Sequence, residues 1–146
     1  MSKSSVEREF DYRALAEFRY ELRRFENLSE QAARAAGIEP QQFQALLAVK
    51  GLPISLEPTI GVLAERLQIQ HHSAVELVDR LEMHGLLKRM RDPKDRRQVL
   101  LRLTKRGDEI LRHVALPNQA ELRTSGLTIL RALQTVMAHA LRHRQR

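Results

Sequence analysis

The sequence predicts a mainly α chain with one small β wing, and three observations predict it. Aromatic residues make up 4% of the 146 residues against 42% apolar residues overall, so the core must be built from Leu, Ile, Val and Ala. That is the composition of a helical bundle rather than of a β-sandwich. Apolar residues recur at three- and four-residue spacing along most of the chain. Only over residues 99–103, where Val99, Leu101 and Leu103 alternate with Leu100 and Arg102, does the period drop to that of a strand.

Residues 1–9 read as a frayed, polar leader. They lack the apolar stretch of a signal peptide, and no apolar run reaches the length of a membrane span, so the expectation is a soluble, cytoplasmic protein. From Phe10 a first helix places Leu15, Phe18, Leu22 and Phe25, then Ala32, Ala33 and Ala36, at helical spacing. Glu17, Arg19, Glu21, Arg23 and Arg24 lie between them, and Gly37 sits where a left-handed cap ends a helix. The helix is longer than a small domain needs, which points to packing on a second subunit. Pro40 suits the first turn of the next helix, whose expected buried face is Phe43, Leu46, Leu47 and Val49.

Gly51, Pro53 and Pro58 break the chain into a connector. Thr59 then caps a short helix over residues 60–67, with Leu63 and Leu67 on one face. A turn at residues 68–70 leads into a helix over residues 71–84, with Ala74, Leu77, Val78 and Leu81 inward and Gly85 at its end. Residues 86–91 are the expected partner of the strand, joined to it by the turn Asp92-Pro93-Lys94-Asp95-Arg96. Thr104 is placed to cap a helix carrying Ile110, Leu111 and Val114, which Pro117 either kinks or splits. Thr124 or Ser125 can start a last helix with Ile129, Leu133, Val136, Met137 and Ala140 on one face. Two helices joined by a tight turn and followed by a hairpin make a winged helix-turn-helix over residues 40–103. Helices over residues 10–36 and 104–146 flank it.

The charge points to a partner. Lys and Arg number 25 against 18 Asp and Glu, a net +7 that favours a polyanion, either nucleic acid or an anionic membrane surface. With no cysteine, disulfides, thiolate metal sites and thiol redox sensing within the chain are excluded. The cations concentrate in the hairpin: Lys88, Arg89, Arg91, Lys94, Arg96, Arg97, Arg102, Lys105 and Arg106 face only Asp92 and Asp95 between His84 and Arg106. Their mutual repulsion costs energy that a polyanion offsets, so the hairpin is predicted to contact DNA rather than to be a merely solvated surface. Arg96 and Arg97 at the turn suit a narrow minor groove, and Asp95 is expected to orient Arg97 through a charge-assisted pair.

With the inward set above, the helix from His71 turns His71, His72, Val75, Glu76, Asp79 and Arg80 outward. The N-terminal end of a recognition helix enters the major groove, and its free N–H groups favour a phosphate. His71, His72 and Ser73 lie in that first turn, and Glu76 can accept from a cytosine amino group. The predicted DNA-binding set is therefore His71, His72, Ser73, Val75, Glu76, Arg80, Lys88, Arg89, Lys94, Asp95, Arg96 and Arg97.

Other signals are weaker. His139 and His143 are four residues apart, with His113 able to join them, but a solvated pair without thiolates is the commoner meaning, so no metal and no cofactor are expected. No Ser-His-Asp order, glycine-rich phosphate loop or paired catalytic carboxylate stands out, which argues against an enzyme. Phe18, Leu22, Phe25, Phe43 and Leu46 read as plain core or, alternatively, as the lining of an effector pocket.

The stretches TIGVLAERLQIQ (residues 59–70), HHSAVELVDRLEMHGLLKR (71–89) and DPKDRRQVLLRLTKRG (92–107) together resemble the multiple-antibiotic-resistance regulator (MarR) family. The Asp-x-Arg of that family's wing falls on Asp95 and Arg97, and the Leu-Thr-x-x-Gly that closes it falls on Leu103, Thr104 and Gly107. The resemblance implies a homodimer held by residues 10–36 and 104–146, with two recognition helices in successive major grooves of a pseudopalindromic operator. It also implies a transcriptional repressor relieved by a small effector, commonly an aromatic acid, bound between the dimerisation helices and the DNA-binding lobe. Gln70 stands where the family usually has a Ser or Thr cap, and His71-His72 replaces an Arg-Ser type pair, so base preference should differ from that of relatives. The alternative is a winged-helix protein-interaction module without a specific operator.

Overall fold

A computed structural model describes residues 11–142. Its elements are α1 (Tyr12–Ala35), α2 (Pro40–Lys50), α3 (Ile60–Leu67), α4 (His71–Met83), β1 (Leu87–Arg91), β2 (Val99–Leu103) and α5 (Lys105–Arg142). The chain is thus mainly helical with one small antiparallel wing. The expected leader and the helix start at Phe10 lie outside the described residues.

Local chemistry fixes most boundaries. The Asp11 carboxylate accepts from the backbone N–H groups of Arg13 (3.1 Å) and Ala14 (3.2 Å) at the start of α1. Gly37 ends that helix at φ +83, where its N–H donates to Arg34 O (3.0 Å) and the N–H of Ile38 donates to Ala33 O (3.1 Å). Pro40 occupies the first turn of α2 as expected, and the Glu39 N–H donates to Gln42 Oε1 (3.0 Å). Thr59 caps α3 by accepting from the Val62 N–H at 3.2 Å.

The phase of α2 differs from the expected one. Its buried residues are Gln42, Phe43, Ala45 and Leu46, whereas Leu47 is 47% exposed and Val49 half-buried. With Phe43 and Leu46 fixed inward, each further residue turns about 100° around the axis, which brings Gln42 in and carries Leu47 out. Gln42 is satisfied there because its Nε2 meets His84 Nδ1 at 3.0 Å.

In the wing, Leu87 pairs with Leu103, Arg89 with Leu101 and Arg91 with Val99. The free edge of β2 is used as well: the Leu101 N–H donates to Pro58 O at 2.7 Å, tying the connector to the strand. Thr104 then joins three segments. Its hydroxyl donates to Gly85 O (2.6 Å) and accepts from the Gly107 N–H (3.0 Å), while its own N–H donates to Leu86 O (3.1 Å). The core beneath consists of residues such as Phe43, Leu46, Leu63, Leu77, Val78, Leu81, Leu86, Leu101 and Val114.

The two helices expected after the wing are one. Pro117 lies inside α5, and the hydroxyls of Thr124 and Ser125 donate back to Glu121 O (3.0 and 2.9 Å) instead of capping a new start. Proline removes a single N–H from the ladder, and the exposed position lets water meet the freed carbonyl. Splitting is thereby excluded. The chain clusters into two compact units whose boundary in α5 falls at Pro117: Glu30–Leu116 forms one, and α1 through Ser29 together with α5 from Pro117 forms the other. Among the described residues, no helix is long and apolar enough to cross a membrane.

Candidate nucleic-acid interface

Helix α4 buries Ala74, Leu77, Val78 and Leu81, the expected set. That phase leaves His71, His72, Glu76, Asp79 and Arg80 exposed, with Ser73 and Val75 half-buried. Gln70 occupies the N-cap with extended backbone (φ −71, ψ 153) but gives the helix no side-chain hydrogen bond. The first-turn N–H groups therefore face outward without a side-chain acceptor, the arrangement that attracts a phosphate.

The wing tip is held by its two carboxylates, both spent on backbone. Asp92 is buried, and its Oδ1 accepts from the Lys94 N–H (2.8 Å). Its own N–H donates to Gln98 O (2.9 Å). Asp95 Oδ1 accepts from the Arg97 N–H at 3.1 Å, and the Gln98 N–H closes the turn on Asp95 O (3.0 Å). The expected pairing of Asp95 with the Arg97 guanidinium is thus corrected. The short aspartate side chain reaches the amide two residues on, as in an Asx-turn, and fixes the turn rather than the fork. Lys94, Arg96 and Arg97 are left exposed at the tip. Lys88 and Arg102 are exposed directly across the ladder from one another, a like-charge pair that destabilises the bare hairpin.

Arg89, expected among the DNA contacts, is engaged within the protein. Its Nη2 donates to Asp79 Oδ1 (2.8 Å), its Nη1 to Glu82 Oε1, and its backbone N–H to Glu82 Oε2 (3.3 Å). The two-residue period puts Arg89 on the same face of β1 as buried Leu87, over α4 rather than over solvent. Burial works to lower the Arg89 pKa, but the hydrogen bonds and charges of Asp79 and Glu82 outweigh it and hold the guanidinium above its ordinary value. The fork is accordingly already occupied, and two of the carboxylates of α4 are neutralised within the protein.

Of the residues expected to line an effector pocket, Phe43 and Leu46 are core, 5% and 0% exposed. Phe18, Leu22 and Phe25 are half-buried on α1, in the other compact unit. Two clefts in the winged unit are lined by none of these five. One, of about 270 Å³, lies beside Val49, Pro58, Leu101 and the Lys50–Asp108 ion pair (2.8 Å). The other, of about 490 Å³, lies beside Gln44, Leu47, Arg66 and Leu67. His143 and the side chain of His139 lie outside what the structure describes, and no group of three candidate metal ligands occurs among the described residues.

Asp79 and Glu82 as partners of Arg89, and Gln42 as partner of His84, were missed from the sequence. The three-residue spacing of Asp79 and Glu82 places them on one side of a helix, and strand parity places Arg89 beside Leu87. Nothing in the sequence says that these two faces meet.

Known proteins match both the sequence and the shape. The model of the MarR family matches residues 36–98. The uncharacterised HTH-type transcriptional regulator YkoM of Bacillus subtilis is 33% identical over 116 residues, 76% of this chain and 72% of YkoM. YsmB of the same organism, also an uncharacterised HTH-type transcriptional regulator, is 33% identical over 86 residues, 59% of this chain and 57% of YsmB. Among solved structures, the MarR family transcription regulator SP03579 superposes with a TM-score of 0.70 at 20% identity, covering 92% of this chain and 91% of that one. A variant of E. coli MarR complexed with operator DNA superposes with a TM-score of 0.61 at 21% identity, covering 81% of this chain and 89% of that one. At such identities the superpositions show the fold.

Proposed function

Since the chain belongs to the MarR family, we propose that it is a sequence-specific double-stranded DNA-binding transcriptional regulator acting as a dimeric repressor. One observation carries the reading. The open start of α4 and the exposed cations of the wing tip stand in one compact unit, while the carboxylates beside them are consumed by Arg89 and by the turn backbone.

In this reading the first turn of α4 enters the major groove, where His71, His72 and Ser73 meet base edges or phosphate and Glu76 accepts from a cytosine amino group. Arg96 and Arg97 enter the minor groove, and Arg80, Lys88 and Lys94 meet phosphates. Dimerisation through α1 and the distal part of α5 is supported by Leu122, Leu127, Leu130, Leu133 and Met137, which stand exposed on α5 of the single chain. The operator complex of E. coli MarR supports a duplex partner for this fold. Release follows when a small effector, an aromatic acid in the simplest case, binds more tightly to a dimer whose recognition helices are wrongly spaced.

Selection of bound sites from random duplex DNA tests the proposal. The expected outcome is a pseudopalindrome with half-sites about 10 base pairs apart. Affinity for it should fall with a log–log salt slope of roughly −0.9 per phosphate contacted. Enrichment of no sequence, or binding indifferent to salt, would overturn it, the latter in favour of a protein-interaction module.

A further inference from the structure

We propose that Arg89 is a positioning residue, a clasp that seats the wing on the recognition helix and withholds Asp79 and Glu82 from DNA, and not a phosphate contact. The inference rests on the reading of α4 and the wing as the DNA-facing surface. Three hydrogen bonds carry it. One guanidinium spans Asp79 Oδ1 and Glu82 Oε1, carboxylates one turn apart on α4, and the backbone N–H of the same residue meets Glu82 Oε2. The planar, forked guanidinium can bridge two carboxylates at once, which a lysine ammonium on a flexible stem does poorly.

The position of the clasp gives it leverage. Arg89 is the middle residue of β1 and pairs with Leu101, whose N–H is itself held by Pro58 O at 2.7 Å. The hairpin is thus fixed at the connector on one edge and at α4 on one face. The angle at which Arg96 and Arg97 leave the tip, relative to the first turn of α4, follows from those attachments. A wing free to swing would have to be ordered anew at each binding event, and that entropy would subtract from affinity.

The clasp also filters charge. Along the outward side of α4 stand Glu76, Asp79 and Glu82, three carboxylates on a surface that must approach phosphates. Arg89 takes up two of them. Among the described residues the exposed Glu76 carboxylate has no hydrogen-bond or ion-pair partner, and it remains open to a base. Losing Arg89 therefore removes one cation and unmasks two anions at the interface, a larger electrostatic change than the loss of one phosphate ligand.

A mutant cycle separates the two roles. Arg89→Met is made in the native chain and in an Asp79→Asn/Glu82→Gln background, and operator binding is measured by fluorescence anisotropy over a salt series. The clasp predicts at least a tenfold loss of affinity in the native chain, less than a threefold loss in the neutralised background, and there an unchanged salt slope. Equal losses in both backgrounds, with a slope shallower by about 0.9, would identify Arg89 as a phosphate ligand and overturn the proposal.

Amide hydrogen exchange of residues 87–103 in the DNA-free protein supplies a second readout. Faster exchange in Arg89→Met supports the clasp, and unchanged exchange counts against it. Should Arg89→Met fail to fold, Arg89→Lys keeps the charge without the fork and should still lose affinity and wing protection. Retention of both by that variant would likewise overturn the clasp. Failure of the native chain to bind any duplex would refute the DNA reading, while hydrogen exchange would still decide the clasp.

Discussion

A Cβ on Gly107 would overlap the carbonyl oxygen of Leu86 and stand 2.9 Å from its carbonyl carbon, both backbone atoms that cannot swing aside. Gly107→Ala is therefore expected to cost about 1–3 kcal/mol of folding stability, the range for overpacking a close-packed site, read as a lowered midpoint in urea. Arg97 is the opposite kind of residue. Its guanidinium is exposed and its backbone N–H, not its side chain, holds Asp95. Arg97→Ala should accordingly keep its thermal midpoint yet lose about 1–3 kcal/mol of operator affinity in a binding titration. Full-affinity binding would remove the wing from the interface. The difference between the two residues was only half visible in the sequence. Caps such as Thr59, Gly37 and Thr104 act on their own neighbours and are legible there, whereas the engagement of Arg89 depends on carboxylates seven and ten residues upstream, on another element.

Elements behave likewise. Helix α4 follows from its apolar spacing alone because four buried side chains at helical intervals admit one phase. Helix α2 does not, since Leu46 and Leu47 are adjacent and only packing decides which goes inward. In α5, Pro117 leaves a kink and a break both open in the sequence, because a proline costs the helix an N–H and crowds the preceding turn. The helix continues through it, the remaining ladder outweighing one defect. Replacing that proline restores a donor at an exposed site. Pro117→Ala is expected to raise stability by up to about 3 kcal/mol, seen as a higher thermal midpoint. An unchanged or lowered midpoint would mean that the proline relieves strain elsewhere in the helix.

At the scale of the whole molecule, several apolar side chains on the distal part of α5 stand exposed in the single chain. Leu130 is 48% exposed there and Met137 50%. A second copy is the proposed cover, and Leu130→Arg tests it because a charge cannot be buried unpaired in an apolar interface without a penalty of several kcal/mol. Sedimentation should then show a monomer, with palindromic-operator affinity falling to that of a half-site. A dimer that survives the substitution would place the interface elsewhere. The net charge of +7 belongs to this scale too, since it favours the approach of any polyanion.

By itself the sequence determined the helical class, the order of elements through the wing, local caps such as Thr59 and the basic wing. Each of these depends on residues within a turn or two of one another, or on a simple sum of charge. Only the tertiary structure decided that Arg89 closes on Asp79 and Glu82, that Asp95 braces a turn and not a fork, that Leu47 faces outward, and that one helix runs through Pro117. These outcomes are contests between alternatives that are nearly equal locally: packing between elements settles Arg89 and Leu47, while the balance of neighbouring hydrogen bonds settles Asp95 and Pro117. The wing announced by its cations in the sequence is, in the folded chain, a wing with one of those cations turned inward to hold it.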